Sequence, residues 1–588
     1  MSAAATRQPN FALLVATAWL LVVLQLLLIY WPETAVTLND TDDAMRLVQL
    51  REFLGGQGWF DLHMARVQPP LGYDPHWSRL IDAGLAGFFT LFHHFADAAF
   101  SERLMRAIWP VLWLLPAIGG VAAIAWRMAG REAAILVLLF AVIDLPAMQQ
   151  FVPGRIDHHN AQIAIAVLTV AATAWSDRFR WTATAAGILT GLGLAIGFEG
   201  MPFLVLCGAI IAGRAIQDRE AASSMRAYGF SVAASTTVAF LASVGPDHWA
   251  RTACDCIAIN SATAVAVGGL GLALITYSRD TRASVRCGLI TAVVAAAALV
   301  FVLSEPRCLG GPYAMVDPAV KQLYLADVHE LRPLLSELAT GPMIGVWLST
   351  FPLVAVVAVI VLGLRDVLRR DFGFLVASAA LLLAVAMMLA AIKGCAYAMW
   401  LAMPPVAVLA LRLFAVFRLK SLMPRFIAGL LLTPMALSAG AVAIADTVGL
   451  YRNNSYVDLE PRACFKTQSY APLATLPPGL VVTNIDYGPF VLALTPHSVL
   501  AAPYHRLSTG IIVAHKIFSV SPDEAYRIIT QLRVNYVAMC GSYAPVGLTD
   551  QQRAASLWGQ LQAGTVPDWL KREPAADGQP FAIYRVKS

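Results

Sequence analysis

The chain has 588 residues, of which 58% are hydrophobic and 13% charged, with a formal net charge of +5. Soluble domains carry about 25% charged residues, so this composition excludes an ordinary soluble protein. Many stretches of about 17–22 residues hold almost no charge, the length that crosses a bilayer as a helix. The small basic excess then has a topological role and is not a nucleic-acid signal.

The first apolar run, 11–31, has no A-x-A cleavage site and exceeds a signal-peptide core, so it is expected to remain as a helix. Asn39-Asp40-Thr41-Asp42-Asp43 follows it, three carboxylates in four residues. The stretch 80–94 is short, carries Asp82 and His93-His94 and follows Arg79, so it reads as a helix lying in the interface. Further spans are expected at 107–127, 132–151, 157–175, 181–198, 201–214, 226–244, 258–277, 285–303, 345–363, 374–392, 396–415 and 426–446, about thirteen in all. Alternate loops are short and basic, with Arg127/Arg131, Arg178/Arg180, Arg214/Arg219/Arg226, Arg279/Arg282/Arg286, Arg365/Arg369/Arg370 and Arg418/Lys420/Arg425. These loops should be cytoplasmic, as should the N-terminus with Arg7. An odd number of spans places the C-terminal tail on the opposite face.

That face is the elaborate one, with loops at about 32–106, 245–257 and 304–344 and the tail. The expected division is 1–448 for the membrane domain and 449–588 for an extracytoplasmic domain. In the tail, β-type runs such as Leu480-Val481-Val482-Thr483 alternate with helical patterns at 522–532 and 550–562. This predicts a small α/β or α+β domain, long enough to bury its own core. Six of the eight cysteines face outward, which permits disulfides, and Cys464–Cys540 and Cys308–Cys395 are the expected pairs. Cys254-Asp255-Cys256 lacks a second cysteine pair at zinc-site spacing, which argues against zinc there.

The candidate chemistry lies at the outer ends of spans. One of Asp40, Asp42 and Asp43 is expected to cap a helix, and Asp42 is four residues from Arg46. The remaining carboxylates suit a hard divalent cation or a base that deprotonates a hydroxyl. Gly154-Arg155-Ile156-Asp157-His158-His159 opens a later span with two further ligand types, and Arg155 suits a phosphate. Glu199 sits between Gly197 and Pro202 in the break between two spans, where packing gives it no purpose. Lys393 occupies another outer connection, either snorkelling or binding phosphate. Asp486-Tyr487-Gly488-Pro489 and Pro503-Tyr504-His505-Arg506 mark turns in the tail. There is no P-loop, no G-x-G-x-x-G after a strand and no G-x-S-x-G, so no nucleotide cofactor is expected. An already activated lipid phosphate or pyrophosphate is the natural substrate.

This pattern resembles the GT-C membrane glycosyltransferases, particularly the catalytic subunit of oligosaccharyltransferase. The stretch 39–51 resembles that family's first acidic motif, with Asp42 matching its metal-binding aspartate. Asp157-His158-His159 resembles the second motif. The loop 304–344 resembles the loop that closes over substrate, and Glu305, Glu330 or Glu199 is left to supply a further acid. Lys393, with Tyr397 after it, lies about where the family has a basic residue for the lipid phosphate. The family's acceptor motif reads Trp-Trp-Asp-Tyr-Gly, whereas this chain has Asn484-Ile485-Asp486-Tyr487-Gly488, which puts sequon recognition in doubt. The stretch 74–82, with His76 and Arg79, the stretch 154–160, with His158, and 502–506, with Tyr504, His505 and Arg506, look like a bacterial group related to that subunit.

The resemblance implies an inner-membrane enzyme that transfers a sugar or oligosaccharide from a polyprenyl-(pyro)phosphate to a glycan, lipid or protein acceptor at the periplasmic face. Asp42, Asp43, Asp157 and Glu199 would be catalytic. Asp42, Asp157 and His159 would hold a divalent metal (Mn or Mg), and Arg155, Lys393 and Tyr397 would bind donor phosphate. The rival readings are a glycan ligase or polymerase, a lipid-linked-sugar transporter or flippase, and a structural assembly protein.

Overall fold

The computed structural model describes residues 10–278, 282–364, 371–450, 462–541, 544–576 and 578–587. Arg7, Arg279, Arg365, Arg369, Arg370 and the tail segment 451–461 lie outside the described residues. The helices used below are α1 (Phe11–Tyr30), α2 (Thr41–Leu54), α3 (Arg79–His93), α4 (Ala98–Ala129), α5 (Arg131–Val142), α6 (His159–Trp175), α7 (Arg180–Ile196), α8 (Met201–Gln217), α9 (Ala222–Ser243), α10 (Ile259–Ile275), α11 (Ala283–Ser304), α12 (Pro342–Gly363), α13 (Phe372–Ala390), α14 (Cys395–Val416), α15 (Leu422–Leu431) and α16 (Pro434–Thr447).

Helix occupies each expected span, but the spans are not alike. Among the described residues, six helical segments are long and apolar enough to cross a membrane: α1, α4, α11, α12, α13 and Ile392–Val416. The pair α15–α16, bent by 54° at Pro434, makes a seventh. By length and composition alone the described residues thus give up to seven spans, and the other expected spans are shorter or more polar helices. Of the other helices, α6, α7, α8 and α10 have 17 residues each and α9 is rich in Ser and Thr. Their polar atoms face other helices: Ser235 of α9 donates to the Gly187 carbonyl of α7 at 3.0 Å, and Ser224 donates to the Ser176 carbonyl at 2.9 Å. Small residues allow this close approach. By contrast, α11 is almost wholly apolar beyond Arg286 and buries only Ile290, as a lipid-facing helix does. The chain is a multi-pass α-helical membrane protein.

A Cβ on Gly191 would come within 2.3 Å of Ser235 Oγ and 2.7 Å of its backbone. Gly191→Leu is therefore expected to destabilise the α7–α9 pair by about 1–3 kcal/mol, read as a lower unfolding temperature in detergent.

The C-terminal region builds a five-stranded sheet of β1 (Leu480–Val482), β2 (Ser498–Val499), β3 (Tyr536–Cys540), β4 (Leu570–Arg572) and β5 (Phe581–Val586), in the order β2-β1-β3-β5-β4. β1 is parallel to β2 and β3, and β5 is antiparallel to β3 and β4. The fold class is thus α/β-like on a helical membrane body. This sheet does not close its core alone. Val67 of the first long loop pairs in parallel with Val499, and Gln68 N–H donates to the Val499 carbonyl at 2.7 Å. The loop covers an edge that would otherwise offer unpaired backbone groups. One apolar core runs from Met45, Leu47 and Leu50 of α2 through Val67 and Trp77 to Val481, Phe490 and Val537.

Cys464–Cys540 forms as expected. Cys308–Cys395 does not: Cys308 is bonded to Cys254, with their Cα atoms 5.1 Å apart, while Cys395 is free and buried. The loop 245–257 lies against the base of the loop 304–344, a proximity that sequence order conceals. Breaking Cys464–Cys540, which spans 76 residues, is expected to cost about 2–4 kcal/mol, measured as a lower unfolding midpoint of the Cys464→Ser, Cys540→Ser double variant.

Candidate active site

The site forms where α2, α6, α8 and α14 begin. Asp40 is the acid that caps: its Oδ1 accepts from the Asp42 and Asp43 N–H groups at 3.0 Å each. Capping turns the next two carboxylates in different directions. Asp43 is buried and its Oδ1 accepts from the backbone N–H of Ile156 (2.6 Å) and Asp157 (3.1 Å), which joins the two acidic motifs. Arg155 sits among the acids. Its guanidinium contacts Asp40, pairs with Asp43 Oδ2 at 3.2 Å and donates to Asp157 Oδ2 at 2.9 Å.

Gly154 shapes this turn. Its φ is +104°, and a Cβ there would approach Asn39 Nδ2 to 2.6 Å. Gly154→Ala is expected to combine backbone strain with that clash and cost about 1–3 kcal/mol, with Arg155 displaced. Thermal unfolding checks it.

Asp42 is the free member. Its N–H is taken by Asp40, but its carboxylate makes no hydrogen bond or ion pair among the described residues. Burial first, and then the charge of Asp157, raise its carboxyl to about 7. Asp157 is fully buried, and its Oδ1 accepts from the His159 N–H at 3.0 Å. His159 Nε2 lies 3.7 Å from Asp157 Oδ2, and its Nδ1 lies 2.9 Å from Glu199 Oε2. Lys393 Nζ is 3.5 Å from the same glutamate oxygen. Burial pushes the Glu199 carboxyl up, but Lys393 and His159 outweigh it and hold the group well below its usual range.

Asp42, Asp157 and His159 each offer a donor atom within 4.8 Å of the others. Two carboxylates and an imidazole suit a divalent cation, and a carboxylate on the far imidazole nitrogen is how ligating histidines are oriented. Asp42, with no partner of its own, fits that use. A second trio, Asp40, Asp43 and Asp157, meets the same distance, but Arg155 already supplies its positive charge.

The other expected residues are distributed around this centre. His158 packs on His159 with ring centroids 4.6 Å apart. Tyr397 is buried and stacked on Phe203 at 4.9 Å, its hydroxyl without a partner and turned toward Gly200, beside Glu199. Tyr504 donates from its hydroxyl to the Thr41 carbonyl at 3.0 Å, directly before Asp42. Asp486 lies near Tyr324, and burial raises its carboxyl to about 6. Of the three acids left open, Glu199 joins the site and Glu330 acts electrostatically on Asp42, His159 and Lys393. Glu305 is instead held by Arg307 (2.7 Å) and Thr252 (2.8 Å) at the loop base. Arg79 is turned away from the acids, bonding Asp82, Gln57 and two loop carbonyls. His76, His505 and Arg506 gather at a separate point around Asp255.

Sequence reasoning missed what lies beneath Asp42. Arg46 does not bond Asp42 but donates to Asp82 Oδ1 at 3.0 Å and sits 4.5 Å over the Trp77 ring. Arg79 (3.1 Å) and Gln49 (2.7 Å) complete Asp82, and all four side chains are buried. The available signal was Arg79 and Asp82 at i,i+3 at the start of the apolar α3, while Arg46 gave none.

No family model matches the sequence, and no curated protein matches it. Solved structures do. The archaeal oligosaccharyltransferase AglB of Archaeoglobus fulgidus, in complex with an inhibitory peptide and a dolichol-phosphate, superposes with a TM-score of 0.67 at 13% identity, over 96% of this chain and 79% of that one. The same organism's oligosaccharyltransferase in its apo form gives 0.65 at 16% identity, over 91% and 70%. Its complex with Zn and sulfate gives 0.62 at 14%, over 95% and 78%. The chain has an oligosaccharyltransferase-like GT-C fold. This GT-C fold sets the helical body and the C-terminal sheet in one continuous frame, with the acids at their junction.

Proposed function

We propose that this protein is a GT-C glycosyltransferase of the bacterial inner membrane. It moves a sugar or oligosaccharide from a polyprenyl-(pyro)phosphate donor to an acceptor at the periplasmic face. Its N-terminus is cytoplasmic, the membrane domain is 1–448 and the periplasmic domain 449–588. The observation that carries the reading is the convergence of Asp42, Asp157 and His159 within 4.8 Å, flanked by Arg155 and by Lys393. Three helices, α6, α8 and α14, start there, and helix N-termini favour anions such as phosphate. The similar archaeal enzyme is described in complex with a dolichol-phosphate, which supports a lipid-phosphate donor.

Each residue then has a task. Asp42, Asp157 and His159 would hold a divalent cation, Mn²⁺ or Mg²⁺, which when bound supplies Lewis-acid stabilisation of phosphate charge. Glu199 fixes the His159 ring through Nδ1. Arg155 balances Asp40, Asp43 and Asp157, and with Lys393 gives the departing phosphate cationic neighbours. Tyr397, its unpartnered hydroxyl turned toward Gly200 beside Glu199, would add a donor for the phosphate. Asp43 is saturated by two N–H groups and Arg155, so it positions the second motif and is a poor base. Asp42 is the better base for an acceptor hydroxyl, because it has no partner and its carboxyl titrates near 7. That observation favours a second version in which Asp42 acts without metal. Asn484 and Ile485 replace the tryptophans of the acceptor motif, so the acceptor need not be a sequon.

The test is transfer of radiolabelled lipid-linked sugar, by purified protein in lipid, to a host envelope extract. Wild type is compared with Asp42→Ala and Asp157→Ala, with and without chelator. Label moving only with wild type identifies the acceptor as glycan, lipid or protein. Loss with chelator selects the metal version, and persistence selects the Asp42 base. Identical behaviour of all three proteins would overturn the reading and favour transport.

A further inference from the structure

A second group of metal-type ligands lies apart from the acids, at the meeting of three distant segments. His505 Nε2 is 2.7 Å from Asp255 Oδ2, and the His76 and His505 ring centroids are 4.9 Å apart. Each of His76, Asp255 and His505 offers one donor atom within 4.8 Å of the others. His76 Nδ1 is buried and has no hydrogen-bond partner. An orphaned imidazole nitrogen beside a carboxylate and a second imidazole is costly as it stands and is satisfied by a cation.

The ligands are also held in place. Arg506 fixes Asp255 through Nε to Oδ2 (2.9 Å) and Nη2 to Oδ1 (2.7 Å), so Oδ2 is shared between Arg506 and His505. Cys254, next to Asp255, is fixed by its disulfide to Cys308. Tyr313 braces His505 edge-on at 5.3 Å. Oriented, hydrogen-bonded ligands of this kind characterise built metal sites. Two imidazoles and one carboxylate suit zinc, with a fourth position for water. The cysteines that make Cys254-Asp255-Cys256 conspicuous are not the ligands. Cys254 is in a disulfide, and the Cys256 thiol faces Arg506 at 3.3 Å.

We propose that His76, Asp255 and His505 bind a Zn²⁺ ion that clamps the first long loop, the loop 245–257 and the C-terminal sheet region together. Through Cys254–Cys308 the clamp also reaches the base of the loop 304–344. It stands independently of the transfer reaction, because none of its ligands belongs to the Asp42 centre.

The experiment uses full-length protein in detergent, stripped with chelator, loaded with Zn²⁺ and gel-filtered before elemental analysis. An Asp42→Asn background silences the other centre. That variant is expected to retain one equivalent of zinc and to unfold at a higher temperature with zinc than without. Adding His76→Gln and His505→Gln is expected to remove both the equivalent and the shift. Co²⁺ in the Asp42→Asn protein is expected to give the visible bands of a tetrahedral site, a readout that needs no histidine variant to fold. Zinc retained after both histidines are replaced, or no zinc and no Co²⁺ bands in Asp42→Asn, would overturn the proposal.

Discussion

Asp42→Asn is expected to reduce transfer by roughly 10²- to 10³-fold while leaving the fold intact or slightly more stable. The rate loss follows from removing a preorganised charge at the reacting centre. The stability result follows from the partnerless state of Asp42. Burial and the Asp157 charge oppose its ionisation, and an amide of the same shape relieves both. Transfer rate and thermal unfolding, measured on one preparation, check the pair, and a large loss of stability would contradict it. The same carboxyl predicts a pH dependence. It is raised from 3.8 to about 7 in the folded chain, so the folded chain binds the proton more tightly than the unfolded one. The stabilisation from that proton is full below about pH 4 and is lost as pH rises through about 7. Metal-free protein should therefore weaken across that window. Mn²⁺ competes with the proton, so it should raise the unfolding temperature more at about pH 8 than at about pH 5. Asp42→Asn should abolish that difference.

Asp82→Ala is expected to be the most destabilising single change near the site, at about 3–5 kcal/mol. It leaves the buried Arg46 and Arg79 guanidinium groups without their shared carboxylate. Their side chains are 0% and 1% exposed, so water cannot replace it. The Gln49 amide loses its acceptor as well. Because Arg46 lies on the helix that carries Asp42, transfer should fall even in molecules that remain folded. Chemical denaturation gives the stability, and rates normalised to folded protein give the second effect. Replacing Arg46, Arg79 and Asp82 together by apolar residues should cost less than Asp82→Ala, since no lone buried charge remains.

The acidic motifs were legible in the sequence because carboxylates beside apolar runs stand out against lipid. Asp42, Asp157, His159, Glu199 and Lys393 all flank predicted spans, and the structure brings them together. The Cys464–Cys540 pair was legible from its place in the tail. Pairings across long separations were not. Asp82 meets Arg46 at a separation of 36 residues, and Asp255 meets His505 at 250. Nothing in local periodicity encodes either contact. Cys308 has an equally plausible partner in Cys395 until the loop 245–257 is seen against it.

Tyr504 holds the carbonyl of Thr41, and Arg66 grips the carbonyls of Thr495 and His497 at 2.6 Å. The start of α2, with its acids, is thus seated by residues synthesised more than 400 positions later. A ribosome-bound chain already carries Asp42 and Asp157, but the surface that seats α2 has not yet been made. Assembly of the Asp42 centre therefore waits on the folding of the C-terminal region.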